Sequence, residues 1–262
     1  MADRPLALVT GASRGIGFEL ARLAARDGCD LIVASHTPDI QKAARELRET
    51  DADVMAVEAD LSTETGIATL WDAVADRPLD YAMANAGVGG GGAFLDQDSD
   101  DIDAIFRLNL AGTTALLHRT ARKMRDQEHG RILITGSLAA NIPGSHHAVY
   151  NATKAYVDTL SWGIRNELAD AGVTVTCLMP GPVDTDFFDR AGMEDTAVAE
   201  SGSKADPAMV AREGYNAMKS GASGVSPSFM SKVQSALSGV VPDSVLARMH
   251  REMAQPKDRS ND

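Results

Sequence analysis

The stretch Thr10-Gly-Ala-Ser-Arg-Gly-Ile-Gly17 decides the fold. It follows a short apolar run, Leu6–Thr10, and opens a segment with helical spacing near 15–26. Its three glycines have separate physical uses. Gly11 lets the chain turn out of the strand. Gly15 omits a side chain where a pyrophosphate would approach, and Gly17 lets the helix pack close to the strand. A helix that begins here presents free N–H groups and the positive end of its dipole, a ready cradle for phosphate. Glycines alone are weak evidence, since turns use them anyway; the strand before and the helix after strengthen the reading. The spacing differs from the commoner G-x-G-x-x-G, with three residues between the first two glycines.

Working outward, β-like runs alternate with helical stretches. Strands are expected at Leu6–Thr10, Asp30–Ser35, Asp53–Glu58, Leu79–Ala84, Gly130–Thr135 and Val173–Met179. Helices are expected near 15–26, 38–50, 63–76, 99–127 and 148–170. Several strands are almost continuously apolar, so both faces are covered. This alternation implies an α/β fold with a doubly wound parallel sheet, its crossovers right-handed. No Pro/Ser-rich linker and no internal repeat interrupts residues 1–262, which read as a single domain. After Pro180 the pattern loosens. Residues 184–206 are polar and mixed, and their place after the sixth strand favours a lid over a long connection, within a substrate-loop region of about 184–225. Helical spacing returns at 206–219 and 228–254, and residues 255–262 read as a disordered tail.

The net charge of −12 and the lack of a Lys/Arg cluster argue against nucleic acid as a partner. No apolar run reaches the ~20 residues that span a bilayer. The start, MADRPLALVTG, enters a strand almost at once and is read as lacking a signal peptide. The two cysteines, Cys29 and Cys177, sit in apolar surroundings and read as reduced core thiols. A cytoplasmic protein is expected.

TGASRGIG resembles the T-G-x-x-x-G-x-G turn of the classical short-chain dehydrogenase/reductase (SDR) family, and later motifs follow in the same order. Asp60-Leu61 follows the third strand. Asn85-Ala86-Gly87 looks like the family's N-A-G, and Asn109 lies in the next helix. Ser137 follows the fifth strand, Tyr150 and Lys154 form Y-x-x-x-K, and Pro180-Gly181 with Thr185 resembles P-G-x-x-x-T. The likeness covers roughly residues 5–190. It implies a Rossmann fold of about seven strands with helices on both faces, and an NAD(P)-dependent exchange of a ketone or aldehyde with an alcohol.

Tyr150 and Lys154 are four apart and share a helix face, by itself a common surface pair. A phenol titrates near ~10, so the expectation is that the Lys154 ammonium and an oxidised nicotinamide lower Tyr150 into the range of a general acid/base. By resemblance, Ser137 positions the substrate oxygen, Lys154 also holds the nicotinamide ribose, and Asn109 organises a relay water. The resemblance implies a cofactor site that includes Gly11, Ser13, Arg14, Gly15, Ile16, Gly17, Asn85, Ala86 and Gly87, with Asp60 and Leu61 at the adenine. Pro180, Gly181, Val183 and Thr185 would anchor the carboxamide.

The second strand ends in Ser35-His36-Thr37-Pro38-Asp39. Where an NAD-type acid or an NADP-type arginine is expected, a serine and a histidine stand. Asp39 has about the spacing of a ribose-binding acid, but Thr37-Pro38 reads as an N-cap followed by the first helical residue, which moves Asp39 into the helix and away from the ribose. With no carboxylate to repel a 2′-phosphate, and with Arg14, Ser35 and His36 to hold one, NADP(H) is favoured and NAD(H) remains open.

Other features are less decisive. His146-His147 lack further ligands for a metal and read as substrate-loop lining or solvated side chains. Gly89–Gly92 either leave room near the nicotinamide or form a floppy loop. Methionines 193, 209, 218, 230, 249 and 253 favour packing over a substrate channel. Leu138, Ile142 and Val149 suggest an apolar pocket. The late region loosely resembles a family branch of broad carbonyl, long-chain acyl or steroid ketone reductases. A small-molecule carbonyl or alcohol is the expected partner, in a homodimer or homotetramer formed through the helices of Asn109 and Tyr150. The competing class is a dinucleotide-binding sensor or scaffold without turnover, which has no need of Tyr150.

Overall fold

In the computed structural model, residues 4–187, 191–193, 196 and 204–227 are described. Seven parallel strands form one sheet in the order β3-β2-β1-β4-β5-β6-β7. They are β1 Leu6–Thr10, β2 Asp30–Ser35, β3 Val54–Glu58, β4 Tyr81–Ala84, β5 Gly130–Thr135, β6 Val173–Leu178 and β7 Gly224–Val225. Side chains alternate across the sheet, as the strand period requires. Ala7 and Val9 enter one core, with Leu20, Ala24, Ile40, Val210 and Met218. Leu6 and Leu8 enter the other, with Leu70, Leu117, Met124 and Val157.

The first core is covered by α1 Gly15–Arg26, α2 Asp39–Leu47 and α7 Pro207–Ser220. The second is covered by α3 Glu64–Val74, α5 Thr113–Asp126 and α6 Ala148–Glu167. The fold is thus doubly wound. Strand order reverses between β1, which leads to β2 and β3, and β4, which leads to β5 and β6. A ligand crevice belongs at the carboxyl ends of the strands flanking such a reversal.

Two expected helices are corrected and one strand is added. The helix of 99–127 is broken into α4 Ser99–Phe106, a π-helical turn at Arg107–Gly112, and α5. The turn widens because Asn109 turns its amide to the Val88 backbone and because Gly112 abuts the Leu61 carbonyl, where a Cβ would sit 2.1 Å from the oxygen. The helix of 38–50 starts at Asp39, ends at Leu47 and finishes in a 3-10 turn. Pro38 is its N-cap and Thr37 makes no side-chain cap. The seventh strand implied by the resemblance had no position read from sequence; β7, with two residues, Gly224–Val225, is too short for a periodic pattern. The expected helix at 228–254, the tail 255–262 and much of 184–206 lie outside the described residues, as do Met230, Met249 and Met253.

Candidate active site

A cavity of about 520 Å³ opens at this reversal, within the usual range of ligand sites. Of the catalytic and cofactor-binding residues expected from sequence, all but Gly17 and Asn109 line it. Gly11 and Gly15 have φ of +64° and +57°, conformations that favour glycine. Gly17 is set back from the cavity and serves packing: a Cβ there would lie 2.2 Å from the Gly11 carbonyl oxygen. α1 thereby starts with its N-terminus at the cavity, a cradle suited to the phosphates of a dinucleotide.

Asn85 ties three strand ends together. Its Nδ2 donates to the Thr10 carbonyl at 3.2 Å, and its Oδ1 accepts from Thr135 at 3.1 Å. The Thr10 hydroxyl oxygen accepts from the Asn85 and Ala86 N–H groups, each at 3.1 Å. The N-A-G segment is therefore fixed to both the glycine turn and β5. Asp60 lines the cavity and accepts from the Ser62 N–H and hydroxyl, which lower its pKa.

Tyr150 and Lys154 lie on the first turns of α6, both buried. The Lys154 ammonium sits 5.8 Å from the Tyr150 ring centroid and donates to the Thr135 carbonyl at 2.8 Å. Ser137, also buried, lies beside Tyr150, and its Oγ accepts from the Ala139 N–H at 3.1 Å. Asn109 stands behind the cavity wall. Its Oδ1 accepts from the Val88 N–H at 3.0 Å, and its Nδ2 donates to the Val88 carbonyl at 2.8 Å and to Thr153 at 3.2 Å. A Cβ on Gly87 would lie 3.2 Å from the Asn109 Oδ1 and 3.7 Å from the Lys154 Nζ. The two polar ends thus approach the same glycine.

The electrostatics correct one expectation. Tyr150 is not lowered by its lysine: burial pushes the phenol up to about 12, with the Ser137 hydroxyl opposing and Asp158 adding to the rise. Burial also lowers Lys154, against the pull of Asp158. Desolvation outweighs the ammonium because both groups are shut away from water.

A second correction concerns Asp39. It is helical, as expected, yet not remote: Arg14 meets Asp39 at 3.0 Å and Asp186 at 2.8 Å. Carboxylates therefore stand beside the residue expected to hold a 2′-phosphate. Ser35 donates to the Ser13 hydroxyl at 3.2 Å, and His36 lines the cavity.

Opposite the glycine turn the lining is apolar, with Val88, Leu108, Leu138, Ile142, Phe187 and Met193. Val149 is buried but does not line the cavity. Tyr150 lies between two rings, His147 stacked at 4.8 Å and Phe187 tilted at 5.4 Å. His147 is thus loop lining, and among the described residues no cluster suited to a metal is found. The glycine run is a seat for the segment beyond β6. A Cβ on Gly89 would meet Phe187 at 2.5 Å, one on Gly91 would meet Met193 at 2.3 Å, and the Gly91 N–H donates to the Ala191 carbonyl at 2.8 Å. Met193 lines the cavity, whereas Met218 packs in the core. Sequence reasoning missed Thr135 and Asp158; the latter could have been found by its place one turn after Lys154.

Comparison with known proteins agrees with this geometry. Residues 5–195 match the profile of the short chain dehydrogenase family. A versicolorin reductase of Emericella nidulans is 31% identical over 191 residues, covering 71% of this chain and 72% of that protein. A short-chain dehydrogenase from Sphingobium yanoikuyae, solved in complex with NADPH, has a TM-score of 0.81 at 25% identity, covering 92% of this chain and 97% of that one. A family member from Burkholderia phymatum, solved in complex with NAD, has a TM-score of 0.79 at 23% identity, covering 90% and 92%, a likeness of fold. The chain belongs to the short-chain dehydrogenase family and is an NAD(P)-dependent oxidoreductase.

Proposed function

We propose that the protein interconverts an apolar ketone or aldehyde and its alcohol, with NADP(H) favoured over NAD(H). The observation that carries this reading is the convergence of buried Ser137, Tyr150 and Lys154 on one apolar-lined part of a dinucleotide-sized cavity. When bound, the cofactor supplies or accepts hydride and, oxidised, sets a positive charge beside the phenol. In reduction, Tyr150 gives its proton to the carbonyl oxygen; in alcohol oxidation it takes that proton back. Ser137 holds the substrate oxygen in line with the phenol. Lys154 holds the ribose hydroxyls, and the positive charge of the oxidised cofactor favours the phenolate. Asn109 fixes the Val88 backbone and orders a relay water toward Lys154.

At the other end, Ser13, Arg14, Ser35 and His36 would hold the 2′-phosphate, and Asp60 with Leu61 the adenine. Gly11, Gly15 and Ile16 would face the pyrophosphate, while Asn85, Ala86 and Gly87 border the ribose. Pro180, Gly181, Val183 and Thr185 would hold the carboxamide. The apolar lining supports an apolar substrate, and the contacts of Phe187 and Met193 with the glycine run support a lid over about 184–225. We further propose a single domain and a cytoplasmic homodimer or homotetramer, with Phe106, Tyr156 and Trp162 exposed on the helices that would pair. Among the described residues no helix is long and apolar enough to cross a membrane. Light scattering gives the mass of the assembly; a monomer contradicts the pairing.

The test follows nicotinamide absorbance at 340 nm with NADPH and NADH against a panel of apolar ketones and aldehydes. Turnover is expected with NADPH preferred. Tyr150→Phe should bind the nucleotide as wild type does and lose at least about a thousandfold in kcat, within the range that a lost general acid accounts for. Binding without turnover in the wild type, or turnover retained in the variant, contradicts the assignment.

A further inference from the structure

Asp158 is a charged side chain beside this site that the mechanism above does not use. It lies one helical turn beyond Lys154 on the same face of α6 and is only 8% exposed. Its carboxylate is aimed at the back of the corner between β5 and Ser137. There it faces the Ser137 peptide and, at 3.4 Å, accepts from the Cys177 thiol of β6. The fit admits no side chain at the neighbouring position, since a Cβ on Gly136 would lie 1.9 Å from the Asp158 Oδ1. Ser137 thus sits between two buried groups, with the Asp158 carboxylate behind its peptide and Tyr150 on the side of the cavity.

We propose that Asp158 is a positioning residue, which fixes Ser137 toward Tyr150 and, as the buried anion beside Lys154, sets the pH range in which Tyr150 and Lys154 hold the protonation states that turnover needs. The proposal rests on the oxidoreductase reading above. The groups around the carboxylate are Tyr150 and Lys154 on α6, the Ser137 peptide after β5, and Cys177 on β6 with its partner Ser161. Burial pushes the Asp158 carboxyl up to about 6, while Cys177, Lys154 and the Ser137 peptide pull it down. Burial holds Cys177 as a thiol, pushed up to about 12. Asp158 is therefore ionised above neutrality, where its charge raises both Tyr150 and Lys154.

Two variants of the full chain separate charge from hydrogen bonding. Asp158→Asn keeps an acceptor facing the Ser137 peptide and removes the charge. Its best kcat should stay within about threefold of wild type, while both limbs of the kcat/KM profile for alcohol oxidation move to lower pH by about half a unit or more. Asp158→Leu removes the acceptor; kcat should fall about tenfold or more, with the nucleotide Kd, read by fluorescence, within about twofold. An Asn profile that superimposes on that of wild type overturns the proposal, and so does a Leu variant with wild-type kcat. Should the Leu variant fail to fold, the Asn profile decides alone. Absence of wild-type turnover on every carbonyl overturns the activity reading, and this proposal with it.

Discussion

Arg14 is where the cofactor question narrows to single atoms. Its two terminal nitrogens are engaged by Asp39 and Asp186, all three side chains being well exposed. Exposed ion pairs of this kind are worth about 0–1 kcal/mol each. A phosphate with charge-assisted, two-pronged contacts to a guanidinium is stronger, so a 2′-phosphate can displace either carboxylate. Arg14→Ala should therefore raise the KM for NADPH by about tenfold, near 1.4 kcal/mol, and leave that for NADH within about twofold. Asp186→Asn should act in the opposite direction, lowering the NADPH value a few-fold by freeing one prong. Steady-state kinetics with both nucleotides checks the pair; equal effects on NADPH and NADH would show that Arg14 does not read the 2′ position. The sequence reading treated Asp39 only as a missed ribose contact. Its ion pair with Arg14 depends on how β1 and β2 place two loops side by side, which spacing alone does not reveal.

At the level of elements, space decides against propensity. Glycine inside a helix costs about 1 kcal/mol relative to alanine, so Gly→Ala on a helix should stabilise when nothing else intervenes. Gly163 on α6 has no atom within 4 Å of its would-be Cβ, and Gly163→Ala should raise stability by about 0.5–1 kcal/mol. Gly17 on α1 is the counter-case, because its Cβ would press on the Gly11 carbonyl, a backbone atom that cannot swing away. Gly17→Ala should cost about 2 kcal/mol or more and distort the phosphate cradle with it. Urea midpoints of the two variants should move in opposite directions; a stabilised Gly17→Ala would mean that α1 does not need its close approach to β1. This is also where sequence reading succeeded best. Strands buried on both faces are apolar runs, and TGASRGIG marks the first turn outright, so six strands and the packing role of Gly17 were legible. The π turn at Arg107–Gly112 was not, because its cause is tertiary: Asn109 bonded to Val88, and Gly112 against Leu61. The glycine run at 89–92 left room and a floppy loop equally open, and its occupant was not legible, because Phe187 and Met193 arrive from about a hundred residues away in sequence.

For the molecule as a whole, the buried carboxylate makes stability depend on pH in an unusual sense. Two carboxylates favour folding as they ionise: Asp27 and Asp60 are lowered, by Lys219 and by Ser62 respectively, and their contributions are lost as pH falls. Asp158 has the opposite sign. Its folded value of about 6 lies above the ordinary ~3.9, so between these values the folded state binds more protons than the unfolded state. Its contribution is full below about 4 and is lost as pH rises through about 6, at a cost on the order of 2–3 kcal/mol thereafter. An asparagine carries no such cost. The stability of Asp158→Asn relative to wild type should thus grow between pH 5.5 and about 7 and then level off, a range that also stays clear of the isoelectric point near 4.9. Any constant offset from exchanging the carboxylate for an amide cancels in this slope, as do the other carboxylates, which the two proteins share. Urea unfolding of both at half-unit steps measures it. A difference that does not change with pH would show that Asp158 is as easily ionised in the folded protein as in the unfolded chain. A rising difference, together with the kinetic shift expected of the same variant, would mean that this fold keeps a destabilising charge because the site beside it uses the charge.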